Sequence, residues 1–129
     1  MEINVTNVGM DYVGKSSSGT ELAIVFGADK PADDKTMNPV ELFISGLSMC
    51  IAAMLRKFCN EHKLDAGEIT VSAETDWEPG APMCSYLDIK VSVEGDFDDR
   101  RKAAFLKVAE TCPVHTTMAE CEDVRLEIL

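Results

Sequence analysis

The sequence predicts an α+β domain, with antiparallel sheets packed on one long, buried central helix. Strand-like apolar patterns lie on both sides of residues 38–62, a segment that is helical in pattern and contains the most apolar run of the chain. A second, amphipathic helical pattern leads into Cys112 and Pro113. These observations give the element order β-β-β-α-β-β-α-α-β, which is typical of an α+β fold.

Strand patterns fill the first 26 residues. The alternating segment Ile3–Val8 and the continuously apolar segment Leu22–Phe26 are each predicted as a strand. Gly14–Gly19, which contains three serines, is predicted as a turn between them. Residues 27–37 are polar and contain Pro and Gly, so we expect a loop there.

The central helix has a strong start signal. Asn38 is a suitable N-cap, Pro39 suits the first helical position, and Glu41 stands where a capping box places an acidic residue. We expect this helix to run to about His62 or Lys63.

An antiparallel pair of strands is predicted next. Ile69–Ala73 and Tyr86–Val93 both alternate, and Pro79–Pro82 breaks the chain between them.

The last part of the chain predicts two helices and a closing strand. Asp98 opens a helix that runs through Thr111, and Pro113 forces a break before a short third helix. Val124–Ile128 alternates and is predicted as the final strand.

Composition narrows the class of protein. The 129 residues suit one domain, 1–129, and carry a net charge of −11, which disfavours binding to nucleic acid or to an anionic membrane surface. The apolar run Leu42–Leu55 is shorter than the roughly 20 residues that span a bilayer, and no signal-peptide pattern is visible. Five cysteines are an odd number, so we expect reduced thiols in a cytoplasmic protein.

Cys50 and Cys112, 62 positions apart, are the candidates for chemistry. Cys50 shares a helix face with Phe43, Leu47 and Met54, and this face is compatible with a packed core thiol or with a reactive one. Cys112 precedes a helix start, where unpaired N–H groups lower the pKa of a thiol. Cys-Pro could equally do no more than separate two helices.

Two further residues have two interpretations each. His115 could donate to a thiolate or be an ordinary polar residue of a helix. Glu41 could assist Cys50, but nine residues along a helix place it half a turn out of phase, and capping explains it better.

A zinc site is a weaker alternative. Cys59 with His62, and Cys112 with His115, both form Cys-x-x-His pairs that could supply four ligands. This motif is common by chance, and Cys59 falls on the opposite side of its helix from Cys50. Cys84 and Cys121 have no informative context.

Two segments resemble the OsmC/Ohr family of osmotically inducible and organic hydroperoxide resistance proteins. Residues 38–50 read Asn-Pro-x-Glu-Leu-Phe-x-x-Gly-x-x-x-Cys, and residues 109–115 read Ala-Glu-Thr-Cys-Pro-Val-His, similar to the two cysteine motifs of that family. The element order agrees as well, so the resemblance covers nearly the whole chain. It implies one OsmC-like domain, 1–129, in an intertwined homodimer with two interface sites.

The resemblance also implies a chemistry: thiol-dependent reduction of hydroperoxides without a metal or organic cofactor. Cys50 would be the peroxidatic thiol, Cys112 the resolving thiol, and an external dithiol the reductant. The hydroperoxide branch has a glutamate directly after the proline, and an arginine beside the thiol. Here Val40 follows the proline, and no arginine precedes Arg56.

This departure motivates a second hypothesis of another class. An apolar pocket lined by Phe43, Leu47 and Met54 would bind a small hydrophobic ligand without catalysis.

Overall fold

The computed structural model describes residues 1, 3–8, 11–25, 37–78 and 80–128. Within this part, the chain forms two compact units, Met1–Phe43 and Ile44–Leu129. The elements follow in the order β-β-β-α-β-β-α-α, and both sheets are antiparallel, which confirms the α+β fold class. The single-domain organisation stays a prediction.

The first unit contains a three-stranded sheet of order β1-β2-β3. β1 spans Ile3–Val8, β2 spans Asp11–Ser16 and β3 spans Glu21–Val25. β1 and β3 were both predicted. The predicted last residue of β3, Phe26, lies outside the described residues, as does the predicted loop except for Met37.

The predicted turn Gly14–Gly19 is wrong in its first half, which belongs to β2. Gly14 pairs with Val5 on one side and with Leu22 on the other. Two flanking ladders therefore hold a residue of low strand propensity in the central strand. The turn begins after Ser16, and Gly19 reaches φ +84°, which glycine adopts without steric cost.

The first helix, α1, spans Pro39–Glu61 and begins with the predicted capping box. The Glu41 N–H donates to Asn38 Oδ1 at 2.9 Å, and the Asn38 N–H donates to Glu41 Oε2 at 2.7 Å. Two backbone donors at the helix start are thereby satisfied by side chains. Glu41 is a capping residue in this structure.

The end of α1 is closed without glycine. The Leu64 N–H donates to the Cys59 carbonyl oxygen at 2.9 Å, and the Lys63 N–H donates to that of Asn60 at 3.1 Å. This pair of bonds is a Schellman motif, which places Lys63 at φ +53°. The helix ends within two residues of its predicted end.

The second unit contains α1 from Ile44 onward, a hairpin and two further helices. The predicted strands are present as β4, Ile69–Thr75, and β5, Leu87–Val93, in antiparallel register. The hairpin loop is fixed by Asp76, which accepts hydrogen bonds from the backbone N–H groups of Ser85 and Tyr86 at 2.9 and 3.2 Å.

The second helix, α2, spans Asp99–Glu110, and its N-cap Asp98 accepts from the Arg101 N–H at 2.8 Å. The third helix, α3, spans Pro113–Glu120 and starts directly after Cys112, as predicted.

The core of the second unit joins α1, the hairpin and α2. One stripe of α1 is buried, at the spacing i, i+4 that places residues on one helix face. The apolar faces of β4 and β5 pack against it. The buried cluster contains Leu47, Ile51, Leu55, Cys59, Phe105, Ala109 and Cys112.

Two expectations about the ends of elements fail. Val124–Ile128 has no regular structure, because no described strand lies beside it and Leu126 is 96% exposed.

The bilayer-length argument does not hold either, since α1 extends beyond Leu42–Leu55 at both ends and is long and apolar enough to cross a membrane. Its buried stripe, however, is that of a core helix.

Candidate active site

The structure brings Cys50 and Cys112 together. Cys50 lies in α1 and packs against the buried cluster that contains Cys112, which lies at the junction of α2 and α3. Both thiols are free. Two reduced cysteines in contact can store two electrons, because they can be oxidised to one disulfide.

The two thiols differ in burial. Cys112 is 0% exposed and belongs to the core cluster, together with Phe105 and Ala109 of α2. Cys50 is half-buried and packs against that cluster from the side. A reagent from solvent therefore reaches Cys50 first.

The junction between α2 and α3 places Cys112. The Cys112 N–H donates to the Ala109 carbonyl oxygen at 3.1 Å, which ends α2. The Cys112 carbonyl oxygen accepts from the Thr116 N–H at 2.9 Å, which starts α3. Pro113 occupies the first helical position, where its missing N–H costs nothing. The cysteine is thus held as the N-cap of α3.

A third group at the site was not found by sequence reasoning. The backbone of Val114, at the second position of α3, is among the groups that influence the pKa of Cys50. Backbone groups carry no residue-type signal. The signal available in the sequence was Cys112-Pro113, which fixes where α3 begins and hence which N–H groups are unpaired.

The hydrogen bond with Cys112 raises the pKa of Cys50 above its ordinary value. Burial and the charge of Cys112 act in the same direction, whereas the Val114 N–H lowers the pKa.

The two proposed assisting residues make other contacts in this structure. His115 is exposed, and its Nδ1 lies 3.3 Å from the carbonyl oxygen of Glu110. Glu41 is engaged with Asn38 in the capping box. Neither residue is among the groups that shift the pKa of Cys50.

Arg56, the first arginine of the chain, is committed elsewhere. Its guanidinium donates to the carbonyl oxygen of Ala66 at 3.0 Å and also to that of Gly67. It therefore ties α1 to the segment that enters β4.

The three predicted pocket residues have different surroundings. Leu47 is buried in the core, Met54 is half-buried, and Phe43 is 45% exposed. Leu47 and Met54 are not among the described residues that line two cavities of the second unit. One, of about 330 Å³, lies between β5 and α2 and is lined in part by Phe105 and Leu106. The other, of about 750 Å³, lies at the start of α2. The predicted pocket stays a prediction.

The histidines of the zinc alternative have backbone contacts in this structure, and one of its cysteines lies in the core. Cys59 is 0% exposed in the core, while the His62 Nδ1 lies 3.0 Å from the Phe58 carbonyl oxygen at the end of α1. No group of three or more potential metal ligands occurs within the described ranges.

Comparisons with known proteins give a family and a fold. A model of a family described as OsmC-like protein matches residues 32–127. No curated protein matches the chain.

Several solved structures share the fold at low sequence identity. The OsmC-like protein of Mycoplasma pneumoniae is 15% identical, with a TM-score of 0.67 over 93% of this chain and 89% of that one. An organic hydroperoxide resistance protein of Elizabethkingia anophelis is 24% identical, with a TM-score of 0.58 over 93% and 90%. An OsmC-like hydroperoxide resistance protein of Jannaschia sp. CCS1 is 21% identical, with a TM-score of 0.58 over 98% and 91%.

Proposed function

Because this chain belongs to the OsmC-like protein family, we propose that it reduces hydroperoxides with the thiol pair Cys50 and Cys112. The observation that carries the proposal is that Cys50 packs against the core cluster that contains Cys112, whose thiol is the largest influence on the pKa of Cys50. Solved structures named as hydroperoxide resistance proteins share the fold and support a peroxide-related redox role.

The half-buried Cys50 is the attacking thiol in this proposal. Its thiolate attacks an oxygen of the hydroperoxide, an S–O bond forms, the O–O bond breaks, and the alcohol leaves after taking up a proton. Cys50 is then a sulfenic acid. The thiol of Cys112, already in contact, attacks the Cys50 sulfur, so that a disulfide forms and water leaves.

An external dithiol closes the cycle by reducing the disulfide back to two thiols. The complete burial of Cys112 suits the resolving role, because a thiol that is not accessible to solvent reacts only with a neighbouring group. We further propose that the protein is a cytoplasmic homodimer. Apolar side chains that one chain leaves exposed, among them Phe43, Met49 and Leu106, support the dimer.

Steady-state consumption of cumene hydroperoxide with a dithiol reductant tests the proposal. We expect turnover by the native protein, and a loss of at least about 100-fold in Cys50→Ser, since a hydroxyl is a far weaker nucleophile at neutral pH. Cys84→Ser is the matched control and keeps the native rate. Retained turnover in Cys50→Ser contradicts the proposal.

A second candidate function, binding of a small hydrophobic ligand, is favoured by one observation. The raised pKa of Cys50 leaves most of this thiol protonated at neutral pH, which suits an apolar site. A binder would show an equal rise in melting temperature with ligand in the native protein and in Cys50→Ser. No shift across a panel of fatty acids and alcohols removes this candidate.

A further inference from the structure

The cavity of about 330 Å³ between β5 and α2 has the size of a small-molecule site. Sites for small ligands range from about 300 to 1,000 Å³, and this cavity lies at the lower end of that range. Neither Cys50 nor Cys112 is among the described residues that line it. Both neighbouring elements contribute side chains: Ile89, Val91 and Val93 from β5, and Lys102, Phe105 and Leu106 from α2.

The two walls follow from the periodicity of their elements. Residues two apart on a strand point to the same side of it, so the three β5 residues form one apolar strip. On α2, Phe105 and Leu106 follow Lys102 at i+3 and i+4, which makes the three residues neighbours on the helix surface. The cavity therefore combines two apolar walls with one cationic side chain.

An aromatic cluster holds the buried wall in place. Phe105 is 5% exposed and meets Phe97, which also lines the cavity, edge to face with ring centroids 5.1 Å apart. Phe58 of α1 meets Phe105 edge to face as well, at 6.1 Å. Such pairs stabilise one arrangement of the rings beyond the area that they bury. The wall is thus formed before a ligand binds, which lowers the cost of ordering it on binding.

Lys102 gives the cavity its charge. Among the described residues that line this cavity, it is the charged one, and none of the ion pairs found in the described part of the chain includes it. The chain as a whole carries a net charge of −11. A cation without a carboxylate partner beside an apolar cavity is complementary to a ligand with an anionic head and an apolar tail.

We propose that this cavity binds the anion of an aliphatic carboxylic acid of medium chain length. The alkyl chain lies between the β5 strip and α2, where it covers Val91 and Leu106, which are 37% and 61% exposed. The carboxylate accepts a charge-assisted hydrogen bond from the Lys102 ammonium. Water in this cavity has few hydrogen-bond partners, so the alkyl chain displaces it readily. The site is separate from the thiol pair and does not depend on hydroperoxide reduction.

Titration of the native protein with sodium octanoate, followed by methyl NMR, tests the proposal. We expect the methyl signals of Val91 and Leu106 to shift in a saturable way. The affinity should rise about fourfold per methylene from hexanoate to octanoate, and octanoate should bind at least about tenfold more tightly than octanol or octylammonium. Equal affinities for the three head groups, or signals that do not move at millimolar octanoate, overturn the proposal.

The role of the charge is tested by Lys102→Met, which removes the ammonium and keeps an unbranched side chain. We expect the affinity for octanoate to fall about tenfold and the affinity for octanol to stay unchanged. Lys107→Met is the matched control, since Lys107 lies on the same helix and is not among the described lining residues. An equal loss of octanoate affinity in both variants overturns the assignment of the carboxylate to Lys102.

The location is tested by Val91→Trp, which places a larger side chain in the cavity. Octanoate should then leave the methyl signals of Leu106 unchanged, and binding that persists at the native affinity overturns the proposed site. If this variant does not fold, as judged by its melting temperature, the titration of the native protein decides the question. Cys50→Ser should bind octanoate as the native protein does, so a failure of the proposed peroxide chemistry leaves this result unaffected.

Discussion

Cys50 and Cys59 lie on the same helix, nine residues apart, and therefore on opposite faces of it. Cys59 is 0% exposed within the apolar core. Cys50 is half-buried, and its pKa is raised, with Cys112 as the largest influence. The comparison teaches that the elements around a helix, rather than the residue type, decide which thiol is equipped for redox chemistry.

The largest expected difference is in alkylation of the native protein. Cys50 should react with iodoacetamide at least about 1,000-fold faster than Cys59, because Cys59 becomes accessible only through opening of the core. Quenched time points with peptide mass analysis measure both rates in one sample. In denaturant the two rates should converge. Comparable alkylation rates of Cys50 and Cys59 in the native protein would contradict the difference described between these two thiols.

The next largest effect concerns the partner of Cys50. In Cys112→Ser, reaction with cumene hydroperoxide should stop at a sulfenic acid on Cys50, since no second thiol is in contact, and turnover should fall about 100-fold. Dimedone trapping followed by peptide mass analysis detects this species. Cys59→Ala, the matched control, should form the disulfide as the native protein does. A disulfide between Cys50 and any other cysteine in Cys112→Ser contradicts the assigned partner.

The pH dependence of alkylation at Cys50 is a further expected difference from an ordinary thiol. The thiolate is the nucleophile in alkylation, and Cys112 raises the pKa of Cys50. An ordinary thiol has a pKa of about 8.5, and its alkylation rate levels off above that pH. The alkylation rate of Cys50 should therefore continue to rise about tenfold per pH unit above about pH 8.5. In Cys112→Ala the largest cause of the raised pKa of Cys50 is removed, so the midpoint of its alkylation pH profile should fall. A higher midpoint in this variant would contradict the described contact.

The same shift has a consequence for stability. A pKa that is raised in the folded state favours folding while Cys50 is protonated. This contribution is complete below the pKa of the unfolded thiol and is lost as the pH rises through the folded value.

Removing the core thiol should affect stability rather than chemistry. Cys59→Ala leaves a small cavity beside Leu55 and Phe105, so we expect a loss of about 1–2 kcal/mol in the free energy of unfolding. Cys50→Ala should cost less, because that side chain is half-buried. Urea denaturation measures both values. A larger loss in the free energy of unfolding for Cys50→Ala than for Cys59→Ala would contradict the assignment of Cys59 to the core and of Cys50 to the site.

The smallest effect separates the two roles considered for Glu41. Glu41→Ala should lower stability by about 0.5–1 kcal/mol through loss of the capping box, with hydroperoxide reduction unchanged. Glu41→Gln, which keeps an acceptor for the Asn38 N–H, should recover most of this stability. A tenfold loss of turnover in Glu41→Gln at full stability would instead support the assisting role.

The elements that the sequence predicted well are those whose signals are local. The capping box at Asn38 and the break at Pro113 each act within a few residues, so their patterns suffice. The predictions failed where the structure depends on distant partners. Gly14 lies in a strand because it has a neighbour on each side, whereas the alternating Val124–Ile128 has no described neighbour and forms no strand.

The candidate site shows the same division. Both cysteine motifs are visible in the sequence, but helix periodicity alone left open whether Cys50 is a core thiol or a reactive one. The side-chain contact that favours the second interpretation joins residues 62 positions apart.

Peptide mapping after oxidation tests the central claim most directly. The fully reduced protein receives one equivalent of cumene hydroperoxide, is alkylated and is digested without reduction. The account predicts a rapid disulfide between Cys50 and Cys112, with Cys59 recovered as an intact thiol. Cysteines that all remain reduced, or a disulfide that excludes Cys50, would contradict it.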